Sequence, residues 1–295
     1  MSFLTEWLGG DGVLLGDGAM GTMLLSADLE PGDALERLNA DDPQAIHNVH
    51  EAYLSAGADV VTTNTFGGNR FRLELHGLDG RVCEINRAGA EISRRAADSY
   101  EREVVVAGSV GPSGSLLEPI GDLPFEEAKE AFASQCRALA EGGVDFILIE
   151  TMSNLEEVRA GVEGARSVCG LPVFCTMNFD IHGRTMMGTS PEEAVAAAGQ
   201  IGAQAVGTNC GNGPVEMEKI IAQMVNADVG IPIIVQSNAG SPKVSENEIV
   251  YGVGAEEMAA HALRCRELGA RYIGGCCGTT PGHIRAMGGA LRSGA

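Results

Sequence analysis

Eight short apolar runs, each followed by a polar or glycine-rich break and then a longer helical stretch, constrain what this chain can fold into. The runs span residues 13–17, 59–65, 104–109, 144–150, 172–178, 203–210, 232–238 and 271–276. Near-continuous apolar runs of this length read as parallel strands buried on both faces. Helical periodicity fills the gaps around residues 46–54, 88–99, 126–139, 155–168, 191–200, 215–225 and 255–268. Gly57, Gly143, Gly202 and Gly269 each stand between a helical stretch and the next strand, where glycine relieves the left-handed strain of a helix C-terminus. Eight strand–helix units predict an α/β chain folded as a single-domain (β/α)8 TIM barrel over residues 1–295. A doubly wound open sheet is the competing architecture, but no G-x-G-x-x-G follows the first run.

Composition narrows the partners. The chain has 295 residues and a formal charge of −20, which argues against nucleic acid, because binding phosphates requires Lys and Arg. It argues equally against an anionic membrane surface. No apolar run approaches the ~20 residues of a membrane span, and the start, Met1 to Trp7, carries no positive charge of a secretory leader. A cytoplasmic protein is expected. Eight cysteines in a chain of this size point to thiol or metal chemistry rather than to a disulfide framework.

In a parallel barrel the site lies at the C-terminal ends of the strands. The residues expected there are Asp17, Asn64, Thr65, Ser109, Glu150, Asn178, Cys210, Asn238, Cys276 and Cys277. Three cysteines at the ends of the sixth and eighth strands converge on one mouth. Zinc favours thiolates and tetrahedral geometry, and three protein ligands leave the open position of a catalytic site. Successive strand residues face opposite ways, so Cys276 and Cys277 reach one ion only where the strand has ended; Gly274, Gly275 and Gly278 supply that freedom. The competing reading is two buried cysteines used as small apolar residues. Cys83, Cys136, Cys169, Cys175 and Cys265 fall on helices or inside a strand and are assigned no role. The glycine-rich loop Asp17-Gly18-Ala19-Met20-Gly21-Thr22 is either a tight turn or a close approach of backbone to ligand. Glu150 and Asp17 are costly to bury unpaired; a ligand ammonium, a nearby Arg or backbone amides would each satisfy them. Thr280 and Pro281 read as the start of a helix, whose N-terminus could also hold an anion. His283 reads as an ordinary packing histidine. An open thiolate–metal site beside two carboxylates suits a substrate with a thiol and an amino group. A free thiol, with a pKa near ~8.5, becomes a nucleophile at neutral pH when coordinated.

Together the 17–22 loop, Thr63-Asn64-Thr65-Phe66, Gly111-Pro112-Ser113-Gly114, Thr208-Asn209-Cys210 and Gly274-Gly275-Cys276-Cys277-Gly278-Thr279-Thr280-Pro281 resemble the zinc-dependent homocysteine S-methyltransferases. The resemblance spans nearly the whole chain and is greatest to the homocysteine-binding domain of cobalamin-dependent methionine synthases. It implies that Cys210, Cys276 and Cys277 are the catalytic zinc ligands, and that Asn238 occupies the fourth position before the homocysteine sulfur arrives. It implies that Asp17 and Glu150 hold the amino-acid end, with Gly18, Asn64, Thr65, Ser109 and Asn178 lining the substrate. The methyl donor is left open. No folate, cobalamin or reactivation unit follows the eighth repeat, so the expected donor is methylcobalamin on a separate corrinoid protein, or a small compound such as betaine or S-methylmethionine. Betaine-using relatives place an aromatic after the glutamate, where this chain has Thr151 and Met152; Trp7, ahead of the first strand, is positioned in sequence to fold over the mouth instead. Three other readings stand beside this one: a different small thiol or selenol as acceptor, a non-catalytic thiol- or zinc-binding subunit of a corrinoid complex, and a barrel binding a phosphate ligand at the Gly278-Thr279-Thr280 helix start.

Overall fold

All eight apolar runs form parallel strands. In this computed structural model, which describes residues 3–24, 32–245 and 248–293, they are β1 (Leu14–Leu15), β2 (Val60–Thr62), β3 (Val105–Val110), β4 (Phe146–Met152), β5 (Val173–Met177), β6 (Ala205–Cys210), β7 (Ile233–Ser237) and β8 (Ala270–Gly275). Each pairs with its neighbour in chain order, β8 pairs with β1, and a parallel bridge between Gly16 and Val60 closes the ring. A doubly wound sheet would reverse its strand order at a switch point; none occurs here. The architecture is a (β/α)8 barrel. Met1 and Ser2 lie outside the described residues.

The first helix, α1 (Phe3–Gly9), precedes the barrel. The major helices around the strands are α2 (Pro43–Ala56), α3 (Val82–Asp98), α4 (Phe125–Glu141), α5 (Leu155–Val168), α6 (Pro191–Ile201), α7 (Pro214–Asn226), α8 (Ala255–Leu268) and α9 (Pro281–Ser293). Gly57, Gly202 and Gly269 cap α2, α6 and α8 in left-handed conformation, at φ 101°, 89° and 107°. After α4 the left-handed residue is Gly143, one position beyond the cap residue Gly142. Ser190 and Glu193 form a reciprocal capping box at the start of α6. Among the cysteines assigned no role, Cys136, Cys175 and Cys265 are buried, Cys83 is exposed on α3, and Cys169 caps the end of α5 instead of lying within it.

Two apolar layers result. One lies between strands and helices. The other fills the barrel, with Val60, Val105, Phe146, Leu148, Phe174, Ile234 and Tyr272 pointing inward. α1 plugs the lower end through Leu4 and Trp7. The Trp7 ring lies 5.8 Å from that of Phe174, its Nε1 donates to the Arg271 carbonyl at 3.3 Å, and the Arg271 guanidinium stacks 4.9 Å from its centroid. Arg271 is the second residue of β8, whereas the cysteines follow its end. Trp7 therefore sits at the floor, opposite the mouth over which the sequence placed it: burying its apolar surface against the open bottom of the barrel outweighs any pull towards a polar rim. Among the described residues, no helix is long and apolar enough to cross a membrane.

Candidate metal centre and substrate cavity

The three thiols meet. The Sγ atoms of Cys210, Cys276 and Cys277 all lie within 4.8 Å of one another, with Cys210 and Cys276 3.0 Å apart. The end of β7 holds all three by backbone bonds. The Ser237 carbonyl accepts from the Cys276 N–H at 2.8 Å, the Asn238 N–H donates to the Cys210 carbonyl at 3.2 Å, and the Ala239 N–H donates to the Cys277 carbonyl at 3.0 Å. Cys210 adopts φ 63°, a left-handed conformation that is rare for a residue with a Cβ and that turns its thiol out of the strand alternation. Gly278 is also left-handed, and a Cβ there would lie 2.1 Å from the Tyr251 ring, so only glycine lets that ring cover the double cysteine.

The electrostatics of this group favour a cation. Hydrogen bonds from the Cys210 and Cys276 thiols, joined by the Tyr251 hydroxyl, hold Cys277 well below the usual thiol range. Cys276 is pushed up by its shared hydrogen bonds with Cys210 and Cys277 and by burial. The trio thus readily carries one negative charge and resists a second until a positive charge arrives. Thiolates are soft donors suited to zinc. Beside them, Asn238 donates Nδ2 to the Gly211 carbonyl at 2.9 Å, while its buried Oδ1 has no partner. A buried amide oxygen left bare is costly, and a metal is one way to satisfy it. The residues present fit a thiolate-bound ion.

A cavity of about 280 Å³ opens beside the thiols, lined by Asp17, Gly18, Thr62, Asn64, Ser109, Glu150 and Gln236. Asp17 is fixed from two sides: Thr62 N–H donates to Oδ2 at 2.7 Å and Thr62 Oγ1 to Oδ1 at 2.9 Å. Burial nonetheless pushes its carboxyl up to about 7. Glu150 accepts a short hydrogen bond from the Ser109 hydroxyl and is likewise pushed up to about 7 by burial. The β4 register shifts between Ile149 and Met152, and Thr151 is left-handed at φ 62°. Asn209 pins this bulge, accepting from Thr151 N–H at 3.0 Å and donating to Thr151 Oγ1 at 2.6 Å. Bulges re-aim side chains, and this one accompanies Glu150 into the cavity. No Lys, Arg or His lines the cavity among the described residues. Of the partners the sequence left open for these carboxylates, arginine is excluded and amides serve only Asp17.

A second cavity, about 650 Å³, lies on the other side of Cys210, which with Thr151 borders both. Asn178, Asp180, Ile181, Arg184, Met186 and Asn238 line it. Asn178, expected with the substrate, stands here, its Oδ1 buried and unpartnered. Gly18, Asn64 and Ser109 do line the first cavity, although the Asn64 amide is already committed to the Leu35 carbonyl and to Asn39 Oδ1. Thr65 does not reach it: fully buried, its hydroxyl bonds the Ser109 carbonyl at 2.7 Å and braces the wall from behind. His283 packs as expected, between Thr280 and the Val253 carbonyl. Sequence reasoning missed Thr62, Gln236 and Tyr251, and also Tyr53, whose hydroxyl ties the Ala19 carbonyl of the first loop to the Thr279 carbonyl behind the double cysteine at 3.0 and 3.2 Å. Thr62 and Gln236 stood one or two residues before the strand ends that were read; Tyr53, on a regular amphipathic helix, gave no signal.

A barrel with three convergent thiols and two carboxylates at its mouth defines an α/β-barrel protein with a thiol group able to hold a metal ion. The sequence profile described as homocysteine S-methyltransferase matches residues 14–291, and the chain belongs to that family. It is 35% identical over 294 residues to the methionine synthase of Mycobacterium tuberculosis and 33% identical to that of Mycobacterium leprae. Each match covers 95% of this chain and 24% of the relative, so the chain spans about a quarter of their length. The homocysteine methyltransferase MmuM of Escherichia coli superposes in its oxidized form with a TM-score of 0.81 at 25% identity, covering 98% of this chain and 99% of MmuM. Its metallated form gives the same score and identity over 96% and 98%.

Proposed function

We propose that this chain is a homocysteine-binding barrel, one domain over its length, that transfers a methyl group to the homocysteine thiol to give methionine. The observation that carries this reading is the three-thiol cluster opening into a cavity whose other wall holds two carboxylates with no cationic side chain. Cys210, Cys276 and Cys277 hold zinc, with Asn238 Oδ1 beside them. Bound there, zinc supplies a Lewis acid that keeps the acceptor sulfur as a thiolate at neutral pH. Asp17 and Glu150 receive the amino group, Ser109 and Thr62 fix their orientation, and Gln236 Oε1, buried and unpartnered, offers a further acceptor. The cavity excludes water around the amino acid and leaves its sulfur facing the second cavity. The free cysteines suit a reducing compartment such as the cytoplasm.

The donor approaches from the second cavity. A methyl-corrinoid protein is the leading donor, supported by the exposed apolar side chains Leu116, Ile120, Ile181 and Met186 in segments that follow the C-terminal ends of the strands, and by Ile249 and Val250 on a short hairpin after β7. Such residues clustered on one face mark a contact surface. A small methylated donor such as S-methylmethionine is the second reading, favoured by the volume of the second cavity and by Asp180 and Arg184 on its wall. The deciding experiment supplies homocysteine and zinc with methylcobalamin, methyltetrahydrofolate, betaine or S-methylmethionine and measures methionine. Cys276→Ala should lose both bound zinc and turnover; full activity of metal-free protein would sink the reading.

A further inference from the structure

A buried polar chain runs from the end of β7 outward between α7 and α8 and lines no cavity described above. Ser237 Oγ lies 2.8 Å from His261 Nε2, and His261 Nδ1 lies 2.8 Å from Glu218 Oε1. Arg264 Nε donates to the same carboxylate oxygen at 2.7 Å. Ser237 is fully buried and His261 nearly so. Burial lowers the His261 pKa against the opposing pull of Glu218, which favours the neutral imidazole. Because Glu218 can only accept, the Nδ1 carries the proton, Nε2 accepts, and the Ser237 hydroxyl donates to it. With no access to solvent or ligand, Ser237 is no nucleophile despite its triad-like partners.

Its position gives it another role. Ser237 pairs in register with Cys210 on β6 and with Gly275 on β8. Its carbonyl accepts from Cys276, and the next two residues bond Cys210 and Cys277. One tripeptide therefore spaces the three thiols, and its first residue is clamped from outside the barrel. We propose that Ser237, His261 and Glu218 are positioning residues whose relay fixes the spacing of the Cys210, Cys276 and Cys277 thiols and thereby retains the metal. This rests on the zinc reading above. It differs from that reading in assigning metal retention to a strand hydroxyl and its partners on two outer helices, whose side chains touch neither metal nor substrate.

Partners that orient metal ligands are typically worth 10- to 100-fold in affinity. The test compares zinc release into excess chelator from wild type, Ser237→Ala, Glu218→Ala and a control, Ser113→Ala. Ser113 holds buried Glu157 by its N–H and hydroxyl at 2.8 and 2.6 Å, a polar pair of similar depth away from the β7 tripeptide. A second arm measures per-residue alkylation of the three thiols in metal-free protein. The proposal expects release about tenfold or more faster in Ser237→Ala and Glu218→Ala, altered relative alkylation of Cys276 and Cys277, and neither effect in Ser113→Ala. Release within twofold of wild type in Ser237→Ala, or equal acceleration in the control, overturns it. Wild-type protein that takes up no zinc defeats the metal reading separately; the alkylation arm then decides the positioning claim, and unchanged rates refute it.

Discussion

Replacing Glu150 by Gln should move stability and substrate binding in opposite directions. Glutamine keeps an oxygen for the Ser109 hydroxyl but cannot ionise. In the folded chain burial has raised Glu150 from 4.5 to about 7. Below the lower value the carboxyl is protonated in both folded and unfolded chains, and the stability it contributes is fully present. As pH rises through 4.5 the unfolded chain ionises first, and stability is lost until the folded carboxyl ionises near 7. At 1.36 kcal/mol per tenfold shift, that loss reaches about 3 kcal/mol above pH 8. Glu150→Gln escapes it. Urea unfolding of the metal-free proteins should therefore show the variant gaining about 2–3 kcal/mol over wild type between pH 5 and pH 8. The homocysteine KM should rise about a hundredfold, the ~2.7 kcal/mol expected when one member of a buried charge pair is removed. A stability difference that does not change with pH, or an unchanged KM, would refute the reasoning, because either would mean that the carboxylate is solvated or paired within the protein.

Three further outcomes are expected. Trp7→Ala should lower stability by about 3–5 kcal/mol, the usual cost of emptying a large aromatic site, and leave the homocysteine KM unchanged; a KM effect in initial-rate assays would place the ring near the mouth after all. Ile181→Asp with Met186→Asp should raise the KM for a protein-borne methyl-corrinoid donor at least tenfold and leave homocysteine binding intact; equal loss with free methylcobalamin would point to a damaged pocket instead of a lost docking face. Cys276→Ala should reduce bound zinc from about one per chain to near none by elemental analysis, since two thiolates and an amide make a poor site.

The barrel was legible because each strand is buried on both faces and so writes a continuous apolar word, and because a glycine ends four of the intervening helices. The thiol cluster was legible because strand ends in a parallel barrel share one face. What escaped depended on detail that periodicity does not carry. The sequence places Thr65 at a strand end, but the strand stops three residues earlier at Thr62, and the Thr65 side chain turns behind the wall. Glu150 enters the cavity through a bulge pinned by Asn209, whose role is invisible without the fold. Asn178 and Cys210 are both strand-end residues, but Asn178 borders the second cavity alone, whereas Cys210 borders both. Trp7 misled because an aromatic outside the repeats has two barrel ends to choose from, and sequence does not say which is open. Neither Ser237 nor His261 carried any local signal, since their partnership spans two elements.

The plug that α1 sets into the barrel floor has a consequence for traffic. With Trp7 packed into one end, the amino acid and methyl donor proposed above would both enter from the mouth, where Cys210 borders both cavities. If a protein-sized donor covers that mouth, homocysteine must already be seated when it docks, and methionine can depart only after it lifts away. Turnover would then be paced by the coming and going of the carrier, and surplus carrier would slow the cycle by trapping product inside.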